Sequence, residues 1–378
     1  MLGELRVVEI GETMAVHVAG LMLCELGADV LKIEPEGGDP SRGTAPFANW
    51  NRGKRSLVLD LTTADGLAAL RARLVDADAL LHQFTPDMAL ALGLDDATLA
   101  KAFPKLVVCG ITGSPRNHPD VERSDDELLV SARLGVMYEN DGHRAGPIVY
   151  RYRMGSWAAA HLAAAGILTR LVMRLQSGQG GAAHTSIYQG FLSKLPLVWG
   201  RNSEGPMPNP QVFPLGARSS KMQLFQCKGN DWLQIMDPTQ QFDYAMLPTM
   251  ASVLAEGVDI DTPEGKIAAF RRRPLEDWLA DLRSFDIAVE PALPMGEVLR
   301  HEDVIANGYV IAVDDPVLGK TIQPNTPFHT DAPMKFGQPA PRLGEGGGVR
   351  WETRPHHASE GRDLESETRD SLWGPGAG

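Results

Sequence analysis

The sequence predicts an α/β fold: a large Rossmann-like parallel-sheet domain with a smaller α+β domain. Three observations carry this. Over roughly the first 190 residues, short β-branched runs alternate with longer amphipathic ones, the pattern of parallel strands covered by helices. A chain of 378 residues exceeds what one hydrophobic core ordinarily holds, so two domains are expected. From Gly200 to Ala217 the sequence turns rich in Pro, Gly and Asn, a connector composition, and a different pattern follows it.

In chain order, Val7 to Ile10 reads as the first strand and Ala15 to Leu26 as the first helix. Val30 to Ile33, Leu57 to Leu59, Ala79 to Leu81 and Leu106 to Cys109 continue the strands, with a helical pattern from Gly66 to Val75. The apolar stretch Leu162 to Met173 forms the body of a long helix, and Gly178-Gln179-Gly180-Gly181 closes it as a C-cap turn. A phosphate loop would follow a strand, so that glycine cluster does not read as one. Beyond the connector, Lys221 to Cys227 and Trp232 to Met236 read as a hairpin around Lys228-Gly229-Asn230-Asp231. Helices are expected near Gln241 to Leu254 and Leu275 to Arg283. The residues after Gly346 are polar and Gly-rich, a loosely held tail.

Composition narrows the partners. A net charge of −12 disfavours nucleic acid and anionic membrane surfaces. Cys24, Cys109 and Cys227 are scattered without CxxC spacing, so neither a disulfide framework nor a zinc site is suggested. His356-His357 lies in the polar tail without companion ligands, and no metal is expected. The N-terminus lacks a basic-then-apolar leader, and no uncharged apolar run reaches the ~18 residues of a membrane span, which makes the cytoplasm the expected location.

Several motifs stand in a recognisable order. They are Leu26-Gly27-Ala28-Asp29-Val30-Leu31-Lys32-Ile33-Glu34-Pro35, Gly37-Gly38-Asp39-Pro40-Ser41-Arg42, Asn51-Arg52-Gly53-Lys54-Arg55-Ser56-Leu57-Val58-Leu59-Asp60-Leu61, Leu92-Gly93-Leu94, Glu297-Val298-Leu299 and Ala340-Pro341-Arg342-Leu343-Gly344-Glu345. Over nearly its whole length the chain resembles the class III CoA-transferases, the formyl-CoA and carnitine CoA-transferase-like family that also includes 2-methylacyl-CoA racemases. The resemblance implies a large domain over 1–199, a linker over 200–217, a small domain over 218–325, a return to the large domain over 326–345 and a tail over 346–378. It also implies an interlocked dimer, with coenzyme A or acyl-CoA as substrate and no metal.

In that family a Gly-Asp pair opens the long helix, and its aspartate attacks the acyl-CoA thioester. Here Met154-Gly155-Ser156-Trp157 places Ser156 at the aspartate position. Each intermediate of the family cycle is an anhydride or thioester of the enzyme carboxyl, and a serine hydroxyl can form only an ester. Ser156 therefore reads as a helix N-cap or simple replacement. A serine nucleophile needs a base, and His161, five residues on, lies about 140° round a regular helix. His17, His82 and His184 are the other histidines to test for an approach to it in space.

Other departures accompany that one. The family's Ala-Gly-Pro turn is Ala15-Val16-His17, and its Glu-Asn-Phe-x-Pro-Gly is His82-Gln83-Phe84-Thr85-Pro86-Asp87. Ala91 replaces an arginine before Leu92-Gly93, and the Gly-rich loop has become Gly113-Ser114-Pro115-Arg116-Asn117-His118-Pro119. Arg42, Asn51, Arg52, Lys54, Arg55, Gln83 and Phe84 remain as candidate CoA contacts, the basic ones for a 3′-phosphate or pyrophosphate. The alternation of Tyr150, Arg151, Tyr152 and Arg153 reads as a strand with two differently exposed faces. For a racemase, the resemblance puts Asp126 at the histidine position and Ser156 again at the aspartate position, with a carboxylate at Asp126 or its neighbours Asp125 and Glu127 as the candidate base.

Some members of the family pair two homologous subunits, only one of which need keep the aspartate. The expected role is therefore the non-catalytic subunit of a hetero-oligomeric CoA-transferase, partnered by a homologous chain that carries the aspartate. The alternatives are an independent divergent enzyme, racemase or hydrolase-like, and a structural or regulatory protein that binds CoA weakly. A partner chain with an intact Gly-Asp distinguishes the first role from the other two.

Overall fold

The structure, a computed structural model, describes residues 2–138, 146–149, 151–194, 200–202, 205–207, 223–237, 242–326, 337–348 and 351. The main sheet is built from β1 (Arg6–Ile10), β2 (Asp29–Glu34), β3 (Arg55–Val58), β4 (Ala79–His82), β5 (Val107–Thr112), β6 (Gly181–Ala182) and β7 (Thr185–Ser186). Its strand order is β3-β2-β1-β4-β5-β6, with β7 also paired to β5. Every pairing is parallel, with Val7 opposite Val30 on one side and Ala79 on the other. Connections from β1 run outward in both directions, so the order reverses between β1 and β4. In open α/β sheets a crevice forms at such a point, outside the carboxyl ends of the strands.

The helices of this unit are α1 (Met14–Glu25), α2 (Ala45–Trp50), α3 (Ala64–Leu74), α4 (Pro86–Ala91), α5 (Asp96–Ala102), α6 (Glu127–Arg133), α7 (Met154–Ser177) and α8 (Ile187–Leu192). Alternate strand residues feed opposite faces, as the period of two demands. Val7, Val30, Ala79, Leu81 and Cys109 pack under α1 and α7, whereas Val8, Leu31, Leu80 and Val108 pack under α3 and α5. By length and composition α7 meets the measure of a membrane span, yet its Ala158, Ala159, Ala160, Ala163 and Ile167 are buried in the first core. It ends as the sequence predicts, at Gly178 with φ 69° and an N–H bonded to the Arg174 carbonyl. At its other end, a side chain on Gly190 would meet the Gly155 carbonyl oxygen at 2.2 Å, so only glycine permits α8 to cross α7 this closely.

The remaining elements are β8 (Gly200–Asn202), β9 (Gly205–Met207), β10 (Leu224–Gln226), β11 (Trp232–Met236), α9 (Pro248–Leu254), α10 (Pro263–Phe270), α11 (Leu275–Ser284), β12 (Ala288–Pro291), α12 (Glu302–Ala306), β13 (Val310–Asp315) and β14 (Gly319–Pro324). The antiparallel sheet β10-β11-β12 and helices α9 to α11 enclose a separate core around Phe225, Leu233, Phe270 and Trp278. The hairpin at 228–231 is present as β10 and β11. The helix expected over Gln241 to Leu254 starts only at Pro248, which fits the first helical turn, where its missing N–H costs nothing. Helix α10 was not expected; Thr262 caps it through the Gly265 N–H, with Pro263 inside the first turn.

After the small unit the chain returns to the main sheet: Ser56 N–H bonds to the Glu345 carbonyl, and the Gly344 N–H to Ser56 Oγ. Most of the connector expected at 200–217 and of the tail expected after 346 lies outside the described residues, as do His356 and His357.

Candidate functional site

A cavity of about 340 Å³ opens at the carboxyl ends of β1, β2 and β4, where the strand order reverses. Ile10, Ile33, Leu61, Phe84 and Leu92 supply apolar wall, and Glu12, Lys32, Asp39, Asp60 and Gln83 supply polar groups. Gln83 ties the two diverging strands together, because its Oε1 accepts the N–H of Glu12 at 2.8 Å and of Thr13 at 3.0 Å. A side chain at Gly11 would stand 2.9 Å from that oxygen, so the glycine is what allows the approach.

Behind the cavity lies a buried charge cluster. Lys54 Nζ reaches Glu9 Oε2 at 2.8 Å, Asn51 Oδ1 at 2.9 Å and the His17 carbonyl at 2.9 Å. Lys32 Nζ reaches the Gly11 carbonyl at 2.7 Å, His17 Nε2 at 2.9 Å, Asp39 at 3.0 Å and Glu9 at 3.6 Å. His17 Nε2 is also 2.8 Å from Asp39, while its Nδ1 is buried without a partner among the described residues. Burial and the Lys32 charge push the His17 pKa down. The hydrogen bond from His17 and the charge of Lys32 outweigh burial at Asp39 and hold its carboxyl far below the usual range. With His17 neutral, two ammonium groups face two carboxylates.

Of the seven residues expected to contact CoA, Gln83 and Phe84 line this cavity. The other five are engaged internally. Arg42 pairs with Glu34 and donates to the Pro341 carbonyl. Arg52 pairs with Glu25 and reaches Gln323 and the Pro324 carbonyl. Lys54 and Asn51 belong to the cluster just described. Arg55 pairs with Asp29 and lies over the Trp351 ring. A signal for this was present in the sequence: a strand buried on both faces should be continuously apolar, yet Glu9, Lys32 and Glu34 interrupt β1 and β2.

The second locus is the start of α7. Its N-cap is Arg153, so Ser156 is not the cap but lies inside the first turn, buried. The capping group is distant in sequence. Glu127 accepts the Ser156 N–H at 2.9 Å and the Gly155 N–H at 3.2 Å, placing a buried carboxylate on the positive end of a 24-residue helix. The sequence offers Glu127 as a possible base beside Asp126 and not as a cap, because nothing local links positions 127 and 155. Asp126 beside it is the N-cap of α6, its carboxylate accepting from the Leu128 and Leu129 N–H groups, and Arg153 lies 3.7 Å from it. The strand expected at 150–153 is absent among the described residues; 151 and 152 form a bend leading into the helix. His161 is exposed and bonds back to the Trp157 carbonyl.

His82 and His184 meet each other instead of Ser156, with ring centroids 6.4 Å apart. His184 Nδ1 accepts the Gly110 N–H at 2.9 Å, which puts its proton on Nε2, donated to Asp96 at 2.9 Å. His82 Nδ1 accepts the Phe84 N–H at 3.0 Å, and its Nε2 has no partner among the described residues. No group of three or more His, Cys, Asp or Glu side chains among the described residues is placed to hold a metal ion.

Glu127→Ala would leave two buried N–H groups at the head of α7 without their anionic acceptor. The loss of a charge-assisted cap is expected to cost about 1 to 3 kcal/mol, and Glu127→Gln, which keeps one acceptor oxygen, less than half of that. Urea denaturation followed by tryptophan fluorescence checks this; an unchanged midpoint for Glu127→Ala would refute the capping role.

Comparison with known proteins supplies the ancestry. The chain is 34% identical over 200 residues to the succinate–glutarate CoA-transferase of Agrobacterium fabrum, covering 47% of this chain and 49% of that protein. In that match the chain therefore spans about half the length of its relative. It is 25% identical over 386 residues to the succinyl-CoA–L-malate CoA-transferase beta subunit of Chloroflexus aurantiacus, covering 91% of each. The solved structure of a CAIB/BAIF family protein from Brucella suis superposes with a TM-score of 0.74 at 23% identity, over 92% of this chain and 97% of that one, and so shares the fold. The model of CoA-transferase family III matches residues 2–346, and the chain belongs to that family.

Proposed function

We propose that this chain is the non-catalytic subunit of a hetero-oligomeric CoA-transferase, holding the family scaffold while a homologous partner supplies the attacking carboxylate. The observation that carries the reading is the head of α7. Ser156 occupies the position expected of the nucleophile, and the nearby carboxylate, Glu127, is buried and bonded to two backbone N–H groups. A carboxylate so engaged is spent on capping. Ser156 has no histidine within hydrogen-bond distance among the described residues, so the hydroxyl lacks the base that acyl transfer to serine requires.

Two further points support a partner. A relative is named as a beta subunit, so subunit assemblies occur within the family. The outer side of α7 leaves Trp157, Leu162, Val172, Met173 and Leu175 exposed, an apolar row suited to cover by another chain in an interlocked dimer or higher oligomer. In this reading CoA or an acyl-CoA is the substrate of the assembly, entering this chain at the cavity lined by Gln83 and Phe84. The cytoplasm remains the location proposed.

The purified chain alone is expected to transfer no CoA from a panel of acyl-CoA donors to carboxylic acids, and Ser156→Asp alone is expected not to change this. Misplacement of a nucleophile by about 1 Å can cost 10²-fold, and an aspartate at 156 would share the helix end with the charge of Glu127. Turnover by the lone chain, with a hydroxylamine-sensitive acyl group mapped to Glu127 or Ser156, would overturn the reading. Strong activity of the single Ser156→Asp protein would show the site to be otherwise intact.

A further inference from the structure

The cavity at the strand-order reversal has the wrong charge for a phosphate. Among the described residues its lining contains four carboxylates, Glu12, Glu34, Asp39 and Asp60, and one cation, Lys32. An ammonium has three protons to donate. Those of Lys32 are directed to the Gly11 carbonyl at 2.7 Å, Asp39 at 3.0 Å and Glu9 at 3.6 Å. None is left for a ligand. The Arg42 guanidinium, which flanks the lining at Glu34, is likewise bonded to that carboxylate and to the Pro341 carbonyl. Glu34 and Asp39 are thereby balanced, but Glu12 and Asp60 are exposed and form no ion pair among the described residues. Burial and the Asp39 charge push the Glu12 pKa up, as a surplus of negative charge would.

The rest of the lining suits a neutral, donor-bearing group. Gln83 uses its oxygen on Glu12 and Thr13, which leaves its NH₂ as the uncharged donor at the cavity. Ile33, Leu61, Phe84 and Leu92 supply flat apolar wall, and Glu12, with the Asp60 oxygen that is not bonded to Thr62, accepts from hydroxyl or amino groups.

Resting on the reading that CoA enters this chain at the cavity, and with its nucleoside end seated at the strand-order reversal, where open α/β sheets bind nucleotides, we propose that the cavity selects against a phosphate on the ribose, so that the chain binds dephospho-CoA more tightly than CoA. The 3′-phosphate is attached to the ribose and must enter with it, whereas the pyrophosphate leads away toward the thiol. Like charges brought together at the cavity wall repel, and salt weakens that repulsion as the screening length shortens from about 10 Å at 0.1 M to about 3 Å at 1 M.

Calorimetric titration of the purified full-length chain with CoA and with dephospho-CoA, at low and high sodium chloride, tests this. At 0.1 M salt dephospho-CoA is expected to bind about fivefold more tightly, with the difference shrinking as salt rises. Thr62→Lys, which adds a cation at an exposed lining position, is expected to move the preference toward CoA by about threefold or more. Equal or tighter binding of CoA by the unaltered chain would overturn the proposal while leaving the CoA-binding reading intact, as would an unchanged preference in Thr62→Lys. Failure of both ligands to bind at millimolar concentration would remove the proposal and the CoA-binding reading together.

Discussion

Glu9→Gln is expected to destabilise the protein by about 3 to 5 kcal/mol, the range for removing one member of a buried ion pair. Glu9 is fully buried and stands 2.8 Å from Lys54 and 3.6 Å from Lys32, both of which are also buried. Without its charge the two ammonium groups share the single remaining carboxylate, Asp39, and the Lys54 side is left without an anion among the described residues. Desolvation already pushes the Lys54 pKa down, and the Glu9 charge is the main influence opposing it. Chemical denaturation of Glu9→Gln and of the double variant Glu9→Leu, Lys54→Met measures the effect. The double variant should recover much of the loss, since a well-packed apolar pair often replaces a buried ion pair at little cost. A Glu9→Gln protein within 1 kcal/mol of the original would show that water or rearrangement neutralises the cluster.

Acidification from pH 6.5 to 4.5 is expected to remove about 2 to 3 kcal/mol of stability through His82 alone, at 1.36 kcal/mol per pH unit for one proton. Burial, aided by the neighbouring His184 and the Arg116 guanidinium, pushes the His82 pKa down to about 3. The unfolded chain takes up the proton near pH 6.5, whereas the folded chain resists it. The stability linked to neutral His82 is therefore complete above pH 6.5 and is lost progressively as the pH falls toward 3. His17, also shifted down, adds in the same direction. Asp39 contributes only in more acid solution: its stabilisation is present above the ordinary carboxylate value and is lost as the pH falls below it. Melting temperature against pH for the natural protein and for His82→Asn, whose side-chain oxygen can accept the Phe84 N–H in place of Nδ1, checks the assignment. His82→Asn should flatten the profile between pH 6.5 and 4.5. Identical slopes would assign the acid sensitivity to other groups.

Reading the sequence located all five of the first strands and the hairpin at 228–231, because each is announced by neighbours in the chain: a β-branched run, or a Gly-Asn turn. It placed Gln83 and Phe84, which line the cavity, through family resemblance at the end of one strand. Its reading of Arg52 and Lys54 as candidates for phosphate stopped short of the structure, where both are paired with Glu25 and Glu9. Charge alone does not distinguish a cation that awaits a ligand from one already matched, and the matching carboxylates lie 27 and 45 residues away.

Periodicity, turn chemistry and family motifs, all local or collinear properties, determined from the sequence that this is an α/β chain of CoA-transferase family III with a serine near the start of its long helix. Only the tertiary structure decided what holds that helix and what lines the cavity. Glu127 meets the 155–156 N–H groups, and Lys32 directs its protons to Gly11, Asp39 and Glu9, because β1, β2 and α7 are brought together by burial of their apolar faces. Desolvation at those meeting points makes the pairings obligatory, since a buried charge or N–H left unmatched costs more than the fold can spare. Which groups remain to meet a ligand is thus a remainder, fixed only after every buried group has found its partner.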